Sequence, residues 1–431
     1  MDKKKKLLVL TDKYFPRPYA NAMCAQELID VLSKENCSVD VVAYEDFDGT
    51  PSKWNGNDIY YVKPDERLRL FYYADKNRNV WKGKLAFITA NVLSKVKGTI
   101  LLPWQPFYSF SFPRRIYRKM CELQEKKQYD AVIAILNPLD SNIAACRFKL
   151  EYPNIPYIVF CVDTLRKTFV EQNVGKTFAD AFIWEKKILQ KCDSYFFMSS
   201  RREDYAPARY EPYRHKLRET DMPRFKVKDV KNIPKYDFGE KAEHWIYAGS
   251  IGGPHYDPDG MFEVFNRISD NPKRILHLYT RGREVERIKK LVKSEKMNIC
   301  VHGYVDADTL KSIMATADVI VSLKTSDQIS AKIFECMSYG KPVIHFCGHK
   351  NDPDVDYLEK YTLGHVVKMY ANNKETEIED LISFLKDAVG RTADLEKLKN
   401  TFEMSTPEYS AKRILEEIEL VNENERKRGK C

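Results

Sequence analysis

The sequence predicts an α/β protein of two domains, each with a mostly parallel sheet covered by helices on both faces. In both halves of the chain, short apolar runs alternate with amphipathic helical patterns, which is typical of successive βα units. The length of 431 residues is too great for one ordinary core. It fits two domains of about 200 residues each. Between the two series, residues 205–239 are rich in Pro, Lys and Arg and poor in periodic pattern, which indicates a linker.

The first series opens with a βαβ pattern. Residues 6–11 form an apolar run, a loop with Pro16 and Pro18 follows, and residues 22–34 have the spacing of an amphipathic helix. Further along, buried strands are predicted at 39–43, 129–136, 157–162 and 194–198, with helices at 139–151 and 176–191. Residues 65–123 depart from this alternation and are predicted as an inserted segment with helical patterns and many aromatic residues.

The second series repeats the alternation. Strands are predicted at 244–249, 275–279, 299–302, 319–323 and 343–346. Helices are predicted at 283–295, 308–315, 330–340, 376–389, 393–401 and 407–424. The chain shows no internal repeat of fixed period, and strands linked through helices in this way favour parallel sheets with both faces covered.

Composition excludes several classes of protein. Apolar residues make up 43% of the chain, so it is predicted to be globular. No run approaches the ~18 apolar residues of a membrane span, and the apolar stretch after the N-terminal lysines ends at Leu10, too early for a signal peptide. The ten cysteines form no Cys-x-x-Cys pair and no cluster with histidine, which argues against structural zinc. Cysteines within apolar runs indicate a reducing, cytoplasmic location.

The positive charge is concentrated in one segment. Residues 65–119 contain twelve Lys/Arg and three Asp/Glu, a surplus of nine that equals the net charge of +9 of the whole chain. With its Trp and Phe residues, this segment is predicted to contact an anionic membrane surface. A nucleic-acid surface or a merely solvated face are the alternatives.

Residues 326–346 are the segment with the most chemical information. Their pattern predicts a loop, a short helix opening at Ser330, a glycine stop at Gly340 and a buried strand. Lys332 and Glu335 lie one turn apart on this helix, so a cation and a carboxylate meet near a helix N-terminus, which favours phosphate. The carboxylate is suited to accept hydrogen bonds from a ribose diol. The segment therefore predicts a site for a nucleotide diphosphate.

Several pieces of the chain, in this order, resemble GT-B glycosyltransferases of the retaining family 4. The most specific is SAKIFECMSYGKPVI at 330–344. It is preceded by WIYAGSIGG at 245–253, WEKKILQKCDSY at 184–195, the strand beginning YDAVI at 129, and the opening strand, loop and helix at 7–32. The resemblance covers most of the chain and depends on the order and spacing of these pieces.

This resemblance implies two Rossmann-like domains that face a cleft. Residues 1–235, with the insertion 65–123, are the expected acceptor domain; residues 240–404 are the expected nucleotide-sugar domain; and residues 405–431 are the expected helix that crosses back to the first domain. It also implies a metal-independent reaction without a protein nucleophile, in which the leaving phosphate oxygen takes the proton of the incoming hydroxyl. No cofactor is expected apart from the donor substrate.

The resemblance assigns roles by position. Glu335 corresponds to the glutamate that holds the ribose, and Lys332 faces the diphosphate; these two are the predicted catalytic residues. The predicted donor-binding residues are Gly249, Ser250, Gly252, Arg281, Gly303, Tyr304, Asp327, Ser330 and Ile333. Asp327 stands where many relatives have a glutamate, and Arg281 is the candidate for a cation that relatives place after the glycine loop. The predicted acceptor-side residues are Asn21, Asn137, Asp140 and Asp163.

The Asp-x-Asp pairs suggest a different chemistry, metal binding. They occur at 46/48, 257/259, 306/308 and 352/354/356. We interpret them as turn residues in exposed loops, and no metal site is predicted.

The leading hypothesis is a cytoplasmic, membrane-associated glycosyltransferase that transfers a sugar from a nucleotide diphosphate to a glycan or lipid-linked saccharide in bacterial surface polysaccharide assembly. A sugar-nucleotide epimerase and a non-catalytic GT-B subunit that supports a partner enzyme are the alternatives. A dehydrogenase is disfavoured, because no Gly-x-Gly-x-x-Gly follows the first strand.

Overall fold

The computed structural model describes residues 4–11, 20–44, 52–64, 66–96, 111–136, 139–165, 182–253, 255–270, 272–280, 284–327 and 329–428. The chain divides into two compact units. The first is Met1–Pro223 together with Pro407–Cys431, and the second is Arg224–Thr406. Each unit has its own sheet and its own hydrophobic core.

The first unit contains an eight-stranded sheet in the order β3-β4-β2-β1-β5-β6-β7-β8. Its strands are β1 (Lys5–Leu10), β2 (Cys37–Tyr44), β3 (Lys53–Trp54), β4 (Asn57–Val62), β5 (Ala131–Leu136), β6 (Tyr157–Cys161), β7 (Ser194–Met198) and β8 (Leu217–Thr220). All neighbours pair in parallel except β3 and β4. Strand β5, AVIAIL, is buried along its whole length, as expected for a central parallel strand.

Six helices accompany these strands within the described residues of the first unit's N-terminal segment. They are α1 (Ala20–Lys34), α2 (Glu66–Lys76), α3 (Trp81–Val96), α4 (Ser111–Lys127), α5 (Leu139–Glu151) and α6 (Phe182–Lys191). Helix α4 faces the core with Phe112, Ile116, Met120 and Leu123, a stripe with steps of three and four residues that is typical of a helix packed on a sheet.

The second unit contains a six-stranded sheet in the order β11-β10-β9-β12-β13-β14, with all neighbours parallel. Its strands are β9 (Glu243–Ala248), β10 (Arg274–Tyr279), β11 (Ile299–His302), β12 (Val319–Lys324), β13 (Val343–Cys347) and β14 (Gly364–Lys368). Its helices are α7 (Asp259–Ile268), α8 (Val285–Ser294), α9 (Ala307–Thr316), α10 (Ala331–Met337), α11 (Asp354–Leu358), α12 (Lys374–Ala388) and α13 (Leu395–Thr401).

The final helix, α14 (Pro407–Arg428), belongs to the first unit. It packs against α1, and the Glu417 carboxylate accepts hydrogen bonds from Ser194 at 2.6 Å and from Arg218. Glu417 is only 4% exposed, and the Arg218 guanidinium provides the charge that a buried carboxylate requires.

The predicted α/β class with two mostly parallel sheets is confirmed. Several expectations were wrong in detail. The segment 205–239 is not entirely linker, because β8 extends the first sheet and a 3-10 helix at Ala208–Lys216 precedes it. Strands β3, β4 and β14 and helix α11 were not predicted, because they are short or flanked by polar residues and their periodic signal is weak. Helix α7 was also missed, although its buried residues Met261, Phe262, Phe265 and Ile268 have helical spacing.

Candidate functional site

The order of strands in the second unit fixes where a site can form. Strands β10 and β11 continue the sheet on one side of β9, whereas β12, β13 and β14 continue it on the other side. Ligands of open parallel sheets bind beyond the carboxyl ends of the strands, at the point where the order reverses. Here that point lies between β9 and β12. Residues 249–253 follow β9, and residues 325–330 follow β12 and lead into α10.

Ser330 starts α10 as its N-cap. Its hydroxyl accepts a hydrogen bond from the Lys332 N–H at 3.2 Å, with extended backbone angles (φ −104°, ψ 123°). The Ser330 N–H donates to Asp354 Oδ1 at 2.8 Å. Asp354 is completely buried, so this hydrogen bond fixes the start of α10 to a carboxylate in the protein interior.

That carboxylate belongs to a buried ion network. Lys324, at the end of β12, lies with its ammonium 3.0 Å from Asp352 Oδ1 and 3.2 Å from Asp354 Oδ1. His345 on β13 contacts Asp352 Oδ2 at 2.9 Å. The expectation that Asp352 and Asp354 are turn residues in an exposed loop was wrong, because they are 4% and 0% exposed. Their spacing was visible in the sequence, but the partner Lys324 lies 28 residues away.

Burial and charge set opposite pKa shifts in the two aspartates. Burial raises the pKa of Asp354, and its Oδ2 has no hydrogen-bond partner among the described residues. Burial also tends to raise the pKa of Asp352, but its contacts with His345 and Lys324 outweigh this effect and leave the pKa below the usual value. The network holds the base of α10 in place through charge that is almost entirely removed from water.

Side-chain atoms of His345, Cys347 and Asp352 that could bind a metal lie within 4.8 Å of one another. Among the described residues, this group is the candidate metal site. All three residues already have protein partners, and His345 is paired with Asp352 itself. The Cys347 thiol donates to the His349 carbonyl at 3.2 Å, and the Asp352 carboxylate is paired with the Lys324 ammonium. With a cation already supplied by the protein, the arrangement fits a structural ion network better than a metal site.

The Lys332 side chain lies under the glycine loop that follows β9. Its ammonium is 4.4 Å from the centre of the Tyr247 ring and 5.8 Å from that of Tyr256, within the range of cation–π contacts. A Cβ on Gly249 would lie 1.8 Å from Lys332 Nζ, so a larger residue would require the ammonium to shift, and Gly249 has φ +149°, a conformation that favours glycine. Burial lowers the pKa of Lys332, with the Cys336 thiol and the Tyr256 hydroxyl acting against this shift.

The loop itself is held by internal hydrogen bonds. The Gly249 N–H donates to the Tyr279 carbonyl at 3.0 Å, and the Gly252 N–H donates to the Tyr256 carbonyl at 2.7 Å. The Tyr247 hydroxyl donates to the Ser250 carbonyl. Gly249 and Gly252 therefore contribute space and backbone conformation, because their amides are already paired. The Ser250 side chain is exposed.

Glu335 lies one turn after Lys332 and carries a carboxylate whose side chain is 41% exposed. The Arg224 guanidinium is 3.8 Å from it, on a side chain that is only 8% exposed. Burial lowers the pKa of the neighbouring Lys228, while the charge of Glu335 raises it. Arg224 and Lys228 were missed by sequence reasoning because they lie in the segment interpreted as linker. The only sign of them in the sequence was that two basic residues stand among the prolines of that segment.

The remaining predicted donor residues are placed differently. Tyr304 is 74% exposed, and Gly303 and Asp327 are also exposed. Ile333 is fully buried, and its N–H donates to the Ser330 carbonyl at 3.2 Å, so its side chain serves the core. Arg281 lies outside the described residues.

On the acceptor side, the predicted residues follow the central strands of the first unit. The order of this sheet reverses between β1 and β5. Asp140 is buried in the first turn of α5, directly after β5, and Asp163 is half-buried after β6. Asn21 lies in α1, and its side chain is outside the described part, as is all of Asn137. Their proposed contacts with an acceptor remain predictions.

Three histidines form a ladder across β9, β10 and β11. His244 Nδ1 is 3.0 Å from His277 Nε2, and His277 Nδ1 is 3.0 Å from His302 Nε2. At one end, His244 Nε2 lies 2.9 Å from the Glu240 carbonyl, which can only accept. His244 Nε2 must donate there, so a run of hydrogen bonds in one direction would place a proton on Nε2 of each ring. Burial, helped by the charges of the other two rings, lowers the pKa of His277 to about 4.

Residues 230–398 match the family model described as glycosyl transferases group 1. No curated protein sequence matches the chain.

Solved structures share its fold at low sequence identity. A glycosyltransferase from Rickettsia africae is 12% identical, with a TM-score of 0.63 over 97% of this chain and 98% of that one. The lipopolysaccharide outer core galactosyltransferase WaaB is 13% identical, with a TM-score of 0.56 over 96% and 99%. The catalytic domain of starch synthase IV from Arabidopsis thaliana, bound to ADP and acarbose, is 11% identical, with a TM-score of 0.57 over 98% and 100%.

Proposed function

We propose that this chain, a glycosyltransferase with the GT-B fold and a glycosyl transferases group 1 domain, transfers a sugar with retention from a nucleotide-diphosphate sugar to a glycan or lipid-linked saccharide. The observation that carries the proposal is the placement of Lys332 and Glu335 one turn apart on α10. One ammonium is inserted beneath the Gly249 loop, and one partly exposed carboxylate lies a turn away, inside the segment that matches the family model.

The proposed reaction breaks one bond in the donor, forms one bond to the acceptor and develops negative charge on the leaving phosphate. The bond between the anomeric carbon and the diphosphate oxygen breaks, and negative charge develops on the departing phosphate. Lys332 is positioned to stabilise that charge, and preorganised cations in partly desolvated sites contribute strongly to such steps. The anomeric carbon bonds to the acceptor hydroxyl on the same face, and the hydroxyl proton passes to the leaving phosphate oxygen.

Glu335 is proposed to accept hydrogen bonds from the two ribose hydroxyls of the donor. Its 3.8 Å ion pair with Arg224 orients the carboxylate and leaves it partly exposed. Because protein cations stand at the site, we propose that the transfer needs no metal ion. Activity that persists in excess EDTA would support this, and full loss restored by a divalent cation would contradict it.

The setting of the reaction is part of the proposal. We place it in the assembly of bacterial surface polysaccharide such as capsule, O-antigen or exopolysaccharide, in the cytoplasm and at the inner face of the membrane. The galactosyltransferase of the lipopolysaccharide outer core, which shares the fold, gives one example of such a role. Among the described residues, no helix has the length and apolar content to cross a bilayer. Membrane contact is therefore proposed to be peripheral, through the basic segment 65–119.

Nucleotide binding tests the donor site directly. The melting temperature is recorded with UDP, GDP, ADP, CMP and their sugar conjugates. A nucleotide at a hundredfold excess over Kd is expected to stabilise the native state by about 2.7 kcal/mol. The ligand found in this way is then titrated into Glu335→Gln, which should bind at least about tenfold more weakly, because a hydrogen bond to a charged group is lost.

Glu396→Gln is the matched control, since Glu396 is an exposed glutamate at the start of α13 in the same unit. It should bind like the unmodified protein. If no nucleotide shifts the melt, or if both variants bind equally, the donor site is placed wrongly. If Glu335→Gln loses binding but the unmodified protein transfers no sugar from any conjugate, a non-catalytic subunit is the better description. The anomeric configuration of the product, read by NMR, tests retention.

A further inference from the structure

Helix α3 has an unusual distribution of side chains. Its buried residues are all small, Gly83, Ala86 and Ala90, whereas its large apolar residues are exposed. A Cβ on Gly83 would lie 1.9 Å from the Asn77 carbonyl oxygen, so the start of the helix approaches the turn before it very closely. The buried side of α3 therefore carries small residues that allow close packing, and its large apolar side chains lie on the exposed side.

Five of the seven exposed large apolar residues of α3 form one continuous ridge. They are Trp81, Leu85, Ile88, Val92 and Val96, with exposures of 67%, 54%, 58%, 54% and 45%. Steps of three and four residues place all five on one helix face. At 100° per residue, this face lies opposite the stripe of small residues. Single exposed apolar residues are ordinary, but a contiguous patch of this kind indicates a surface that is covered in use.

The charges beside the ridge have one sign. Lys82, Lys84 and Lys95 are exposed, and α3 contains no aspartate or glutamate. The Lys82 ammonium lies 5.8 Å from the centre of the Trp81 ring. A ridge of Trp and aliphatic residues flanked by lysines is typical of a helix that lies in a bilayer interface, with its ammonium groups reaching the headgroups.

Helix α4 also carries basic residues, of which Arg114 and Arg118 are exposed. The Arg115 guanidinium donates to the carbonyls of Lys63 and Pro64, both at 3.0 Å, and Lys119 pairs with Glu122 at 2.7 Å. The large apolar residues of α4 face the core, whereas α3 combines exposed apolar surface with exposed positive charge.

We propose that α3 is a membrane-docking helix whose ridge inserts into the interface of an anionic bilayer. This deepens the membrane contact of the proposed function and rests on that part of it, not on the donor chemistry. A second copy of the chain is the competing occupant. Pairing of two α3 helices would bring lysine rows together without an acidic residue of α3 to neutralise them, whereas anionic headgroups supply that charge.

The test uses the full chain and vesicles of phosphatidylcholine alone or mixed with phosphatidylglycerol. The chain should sediment with the anionic vesicles, and a variant with Ile88→Ser and Val92→Ser should partition at least about tenfold more weakly, because two side chains no longer enter the apolar region. A variant with Leu150→Ser and Ile183→Ser is the matched control. It removes two apolar side chains of the same unit with similar exposures, 64% and 57%, and should partition like the unmodified chain.

A second readout locates the insertion. Vesicles with brominated acyl chains should quench the fluorescence of the chain, and Trp81→Phe should remove most of that quenching. Equal sedimentation of the ridge variant and the control would overturn the proposal, as would absence of vesicle binding. Concentration-dependent dimers that the ridge variant abolishes would assign the ridge to a second copy. The ridge variant should keep the nucleotide-induced melting shift, so failure here is distinguishable from failure of the donor site.

Discussion

Helices α10 and α3 distribute charged and apolar side chains in opposite ways. In α10, the apolar residues Ile333 and Phe334 are fully buried, and the charged residues Lys332 and Glu335 have partners in the surrounding structure. In α3, small residues are buried and large apolar residues are exposed. A helix whose polar groups are preorganised is suited to a small charged ligand, whereas a helix with apolar bulk outside is suited to a large apolar surface.

The largest expected effect concerns the charge beneath α10. Lys324→Met leaves the carboxylates of Asp352 and Asp354 buried without their cation, so the second unit should lose about 3–5 kcal/mol of unfolding free energy. Urea unfolding of the second unit measures it. Lys290→Met removes an exposed lysine of α8 and should change stability by less than about 0.5 kcal/mol. Equal effects of the two substitutions would show that the network contributes no stability.

Acid should weaken the second unit through the histidine ladder. The pKa of His277 is about 4 in the folded chain, against 6.5 for the free side chain. Between these values the unfolded state holds more protons, so stability rises with pH: the contribution is complete above pH 6.5 and is lost as the pH falls to 4. It amounts to about 3 kcal/mol at most. His244, His302 and Glu240 are the titratable groups that act on His277.

Urea unfolding between pH 4 and pH 7 measures this dependence. His277→Gln cannot take up the proton, so its stability should vary less steeply with pH than that of the unmodified chain. Identical pH profiles for the two proteins would contradict the role of His277.

Nucleotide affinity should depend on the space above Lys332. Gly249→Ala places a methyl group where the ammonium lies, and the displaced cation should lower nucleotide affinity about 10- to 100-fold, the effect of one or two charge-assisted hydrogen bonds. Gly253→Ala is the matched control, because Gly253 also has a positive φ, +70°, but its Cβ would have no neighbour within 4 Å. Isothermal titration should show near-normal affinity for this control. A similar loss in both variants would point to strain of the loop in place of displacement of Lys332.

The smallest expected effect is on the ridge of α3. Ile88→Ser should change the unfolding free energy by less than about 0.5 kcal/mol, because the side chain already faces water in the free protein. Ala90→Leu, on the buried side of the same helix, should cost about 1–3 kcal/mol through overpacking. Thermal unfolding of both variants checks the contrast. Strong destabilisation by Ile88→Ser would mean that the ridge packs within the chain.

Much of the fold could be predicted from sequence where the signal is local. Strand β5 is a continuous apolar run, α10 has a serine cap and a glycine stop, and both were located to within a few residues. Strand β8 was missed because LRET carries no apolar alternation and is held by its pairing with β7. Prediction of the candidate site had the same limit: Lys332 and Glu335 lie in one motif, whereas Arg224 comes from a segment without pattern.

The sequence by itself determined the two βα series, the helix with Lys332 and Glu335, and the concentration of positive charge in residues 65–119. These are properties of neighbouring residues, and periodicity and spacing record them. Only the tertiary structure decided that Asp352 and Asp354 are buried with Lys324, that Gly249 makes room for an ammonium, and that α3 exposes its apolar face. Burial and pairing depend on residues that are distant in the chain, so no local pattern could determine them.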